Sequence, residues 1–190
     1  MPELLLLLPI VAFIALAALT AIVLRRAGRI VARGREMEGF RAQVHDLAAR
    51  VDTSLDGAIG RIDAVRRGQL AADTVGPTVE AATDAVGKYA EEARALHGPP
   101  EAIAIRDDIV SELERAERAL GMVDHGATIM AQVRRRGREL EAQTSLKRGY
   151  LNLLHAKEAI DRHALRVDTL ELTADADGRT PTITVREPRP

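Results

Sequence analysis

His155 and Glu158 stand three residues apart, with Asp161 and His163 close behind. On a helix, positions i and i+3 share a face, so this group comes nearest in type and spacing to a metal site. A zinc ion asks for three or four such ligands, and a second helix would have to supply the rest. Di-iron bundles use Glu-x-x-His on two helices. The residues three before His45, His97, His125, His155 and His163 are Ala42, Arg94, Met122, Asn152 and Ile160, and none is acidic. Local pairing on a solvated face accounts for the group without a metal. The expectation is no metal and no cofactor.

Other chemistries find equally little to stand on. Gly87-Lys88 lacks the earlier glycine of a phosphate-binding loop and runs on into Tyr89. No Gly-x-Gly-x-x-Gly fingerprint and no Gly-x-Ser-x-Gly elbow occurs. The serines, at 54, 111 and 145, have no histidine within local helical reach. The chain therefore reads as a non-enzyme with no small-molecule substrate evident. With no cysteine, disulfides and thiolate metal sites are absent as well.

The elements that would position any site read as helices. Ala and Arg abound, and the only aromatics are Phe13, Phe40, Tyr89 and Tyr150, far from the β-branched and aromatic richness of sheets. Leu4 to Leu24 are 21 consecutive uncharged residues. As a helix they would rise about 31 Å, against a hydrocarbon core of roughly 30 Å. Arg25, Arg26, Arg29, Arg33 and Arg35 follow at once. Basic residues flanking a span stay on the cytoplasmic side. The expectation is a single transmembrane helix over 4–24, with residues 1–3 outside and the remainder cytoplasmic. A cleaved signal is the rival, on the strength of Ala15-Leu16-Ala17. Against it stand the absence of Lys or Arg before the apolar run and the arginines directly after it.

Beyond residue 24 the apolar residues fall in seams. Met37, Phe40, Val44, Leu47 and Val51 step by three and four, and Leu55, Ile59 and Ile62 continue after an extra step of four, a stutter. This predicts a juxtamembrane helix over 25–70, fraying near Gly68. Val75, Val79, Ala82, Val86, Tyr89, Ala93 and Leu96 give a second helix over 73–97, with Pro77 in its first turn and Gly98-Pro99-Pro100 as its stop. Ile109, Leu113, Ala116, Leu120, Val123, Ala127 and Met130 give a third over 101–136. Leu140, Leu146, Tyr150, Leu153, Leu154, Ile160 and Leu165 mark a fourth over 140–166, either separate or continuous with the third. Residues 173–190 read as a polar, disordered tail, with a weak strand pair over 167–172 and 182–185 as the alternative. The fold class is all-α, an antiparallel helical bundle of coiled-coil-like helices.

Charge is balanced overall at −1 but segregated along the chain. Residues 25–50 hold seven arginines against Glu36, Glu38 and Asp46, a net of +4, and residues 73–124 a net of −7. The basic excess of a nucleic-acid binder is missing, so no nucleic acid is expected. Arg25, Arg26, Arg29, Arg33 and Arg35 read as contacts to anionic lipid headgroups. Arg134, Arg135, Arg136 and Arg138 would lie at the membrane-distal end, either complementing a helix terminus or docking an acidic partner.

The layout of one span followed by a helical bundle is similar to that of LemA-type membrane proteins. The likeness covers architecture and implies no residue roles. A scaffold or adaptor follows as the expected function, with a helical protein partner or a second copy of the chain bound through its helices. A membrane-coupled signalling relay is the alternative, and an enzyme the least supported.

If the seams hold the bundle together, Leu113→Ala or Leu120→Ala should each cost about 2–5 kcal/mol. Arg135→Ala should leave the thermal midpoint nearly unchanged. Equal effects in thermal melts of the three variants would contradict this assignment of the core.

Overall fold

The computed structural model describes the backbone of residues 3–132 and 137–170, and the side chains of residue 13, residues 16–132 and residues 137–170. Four helices make up the fold: α1 (Glu3–Arg66), α2 (Gly76–Ala95), α3 (Ile103–Ala131) and α4 (Glu139–Asp168). Single 3₁₀ turns at Ala72–Thr74 and Pro100–Ala102 lead into α2 and α3. Among the described residues there is no strand.

The helices alternate in direction. Arg50 meets Glu92 while Arg61 meets Thr78, so α2 runs back along α1. On the other side His45 meets Asp168 and Lys157 meets Asp52, so α4 also opposes α1. Between α3 and α4, Asp108 lies beside Arg166 and Met122 beside Ser145. The result is an up-down-up-down bundle.

The expected span is corrected. Among the described residues, no helix is long and apolar enough to cross a membrane. The described side chains ahead of the first arginine are Phe13 and Leu16–Leu24. Nine consecutive residues rise about 14 Å, half of a hydrocarbon core, before Arg25 and Arg26 intervene. The other side chains of the predicted span lie outside the described residues. The localisation built on it, single-pass with the N-terminus outside and a cytoplasmic C-terminal domain, is withdrawn with it. The predicted tail at 173–190 lies outside the described residues too.

α1 runs without a break for 64 residues, about 96 Å, and two different environments divide it. From Met37 to Val65 its seam is buried: Met37, Phe40, Val44, Leu47, Val51, Leu55, Ala58, Ile62 and Val65. Past the stutter the core residue is Ala58, and Ile59 sits half-buried beside it. From Leu16 to Arg33 every side chain is exposed. This N-terminal part is an arm that leaves the bundle. At its other end α1 closes on a glycine stop. Gly68 takes φ 72°, its N–H bonds Val65 O at 2.9 Å, and Gln69 N–H bonds Ala64 O at 2.8 Å. That pair of bonds satisfies two otherwise orphaned carbonyls and needs a residue free to enter the left-handed region.

The core contains no buried polar or charged residue among the described ones. α2 contributes Val79, Ala82, Val86, Ala90 and Ala93, and α3 contributes Ile109, Leu113, Ala116, Leu120 and Val123. Two of the chain's few aromatics are placed by specific contacts. A Cβ on Gly98 would sit 2.7 Å from the Phe40 ring, so any larger residue in the α2–α3 connection would have to push that ring aside. Tyr89 shares a 3.0 Å hydrogen bond with Ser54.

The tightest seam joins α3 and α4. A Cβ on Gly149 would lie 2.7 Å from Ala119 O, and one on Gly126 would lie 2.9 Å from Ala142 O. Backbones meet at both places, and apart from Val123 Cγ2, also 2.7 Å from the Gly149 position, the atoms in the way belong to main chain that cannot swing aside. Buried Ala142, Ala156 and Ala164 continue this small-residue face. Leu140 and Leu165, which the sequence pattern assigned to the apolar face of the fourth helix, are 77% and 65% exposed.

The two kinds of helical glycine should respond oppositely to alanine. Gly149→Ala should destabilise by about 1–3 kcal/mol through overpacking. Gly57→Ala, in open space within α1, should stabilise by up to about 1 kcal/mol through helix propensity. Denaturant melts check both, and destabilisation of similar size in the two variants would contradict the close α3–α4 approach.

Candidate functional site

The five N-terminal arginines sit on or just beyond the exposed arm. Arg33 reaches Glu101 at 3.8 Å, which ties the base of the arm to the turn that opens α3. Among the described residues Arg25, Arg26, Arg29 and Arg35 make no ion pair, and their side chains are exposed. Without a span among the described residues, nothing in the fold places these arginines at lipid headgroups. Their positive charge stays unmatched by the bundle except at Arg33.

The second arginine cluster is split. Arg134, Arg135 and Arg136 lie outside the described residues. Arg138 is engaged: its guanidinium donates to Glu141 at 2.9 and 3.0 Å. His125 on α3 approaches the same carboxylate at 3.3 Å. The hydrogen bonds from Arg138, and then the one from His125, hold the Glu141 carboxyl down to about 2. Here α3 has ended, and Gly137 takes φ 84° with its N–H donated to Glu139 at 2.9 Å. The third and fourth helices are therefore separate. An open groove of about 570 Å³ lies beside this junction, lined by His125, Leu140, Glu141, Thr144, Ser145 and Arg148. Its walls are exposed and half-buried side chains of α3 and α4, and none of the lining residues pairs a nucleophile with a base.

Along the α1–α4 contact, Lys157 bridges Asp52 and Asp56, and the two carboxylates raise the Lys157 ammonium above its ordinary value. Asp161 stands on the same face, its carboxyl pushed up by partial desolvation and by the like charges of Asp52 and Asp56. The group that drew attention in the sequence is thus partitioned. Asp161 belongs to the Lys157 cluster, whereas His163 turns to Asp108 on α3 at 3.6 Å, and His155 is exposed. Among the described residues no group of three or more potential ligands could hold a metal ion.

Two residues prominent in the structure had no signal in the sequence. Arg41 donates to Val167 O at 3.3 Å and to Leu170 O at 2.6 Å. It caps the C-terminus of α4 from a different helix, where carbonyls lack intrahelical partners. Arg50 bonds Glu92, which lowers that carboxyl, and stacks over Tyr89 with its guanidinium carbon 5.5 Å from the ring centroid. These four partners lie 39 to 129 positions away in the chain, a separation that local periodicity does not register.

Compared with known proteins, the chain matches no family model, no curated protein and no solved structure. What it can do must be read from its own surface.

The Glu141 contact sets a pH window. A carboxyl lowered in the folded state contributes stability that is present above its unfolded value, near 4.5, and is lost as the pH falls toward about 2. A carbon-detected NMR titration should place the Glu141 midpoint near 2, and Arg138→Ala should return it toward 4.5. A midpoint near 4.5 in the unaltered chain would contradict the Arg138 contact.

Proposed function

We propose that this chain is a helical scaffold or adaptor that binds protein partners through its helical surfaces. The supporting observation is the arm of α1. Phe13, Leu16, Leu19, Ile22, Val23, Leu24, Ile30 and Val31 are all exposed on it. A contiguous apolar patch of that kind on a folded protein is characteristic of an interaction site. The arm is continuous with the helix that enters the core from Met37 onward. Extending a helix that is already formed avoids the cost of nucleating one, so the arm is preorganised for a helix-to-helix contact.

A signalling relay is the second reading, favoured by the unbroken backbone of α1 from Glu3 to Arg66. Three residues inserted after Gly34 would rotate the arm against the bundle. A relay would lose its response to that change, whereas an adaptor would keep its partner.

A photo-crosslinking residue in place of Leu24 on the arm should capture protein in high yield in the native cell. The same residue in place of Glu117, exposed on α3, should capture little. No captured protein from position 24, or equal yields from both positions, would contradict an adaptor arm.

A further inference from the structure

We draw no further inference here: the strongest candidate, the exposed face of the α1 arm between Leu16 and Arg33, where the core seam runs on into Arg33 and Arg26 beside Ile30 and Val23, carries nothing because nothing in the structure shows what covers it.

Discussion

One constraint organises this molecule: a single helix is longer than the bundle that covers it. The seam of α1 from Met37 to Val65 gives α2 and α4 the surface on which they pack, and all of its main members are almost wholly buried. The same helix continues for more than thirty residues beyond that cover. Burial of apolar side chains drives the bundle at roughly 25 cal/mol per Å². The arm's leucine, isoleucine and valine side chains, which no other helix covers, do not share in that contribution. The tension between a satisfied half and an unsatisfied half of one helix is what gives the protein a direction and an exposed end.

The satisfied half is built with economy of side-chain volume. Its large core residues are few, and much of the remaining core is alanine. Small residues bury little area each, so stability must come from close approach. Gly126 and Gly149 supply it by letting main chain meet main chain between α3 and α4. Charged groups decorate this arrangement more than they hold it. Most ion pairs are between exposed side chains, where each contributes little. The contacts with structural consequence are the interhelical ones at the ends and rims, such as Arg41 on the last carbonyls of α4 and Lys157 between Asp52 and Asp56.

Much of this was legible in the sequence, and the failures have physical causes. The seams of α2 and α3 read correctly except at Tyr89 and Met130, which are half-buried beside the core residues Ala90 and Ile129, because alternating steps of three and four hold through most turns and Gly98-Pro99-Pro100 punctuates them. The face of α4 was misjudged at Leu140 and Leu165 because large apolar residues outweighed small ones in the pattern. The close main-chain approach of α3 and α4 is made at Gly126 and Gly149, and glycine carries no hydrophobic signal at all. The same bias toward large residues chose Ile59 where Ala58 fills the core. A run of uncharged residues suggested a membrane span, and hydropathy alone does not separate a span from an apolar helical arm. The arginines of the arm stand out in the sequence by their crowding. Arg41, Arg50 and Lys157 do not, since their partners are close only after folding.

α1 is one helix in two environments, a covered half and an uncovered one. Hydrogen exchange on the full-length chain tests this most directly. Amides from Met37 to Val65 should exchange together with those of α2, α3 and α4, and those from Leu16 to Arg33, which no other helix covers, should exchange much faster. Arm amides that share the bundle's protection would contradict the account.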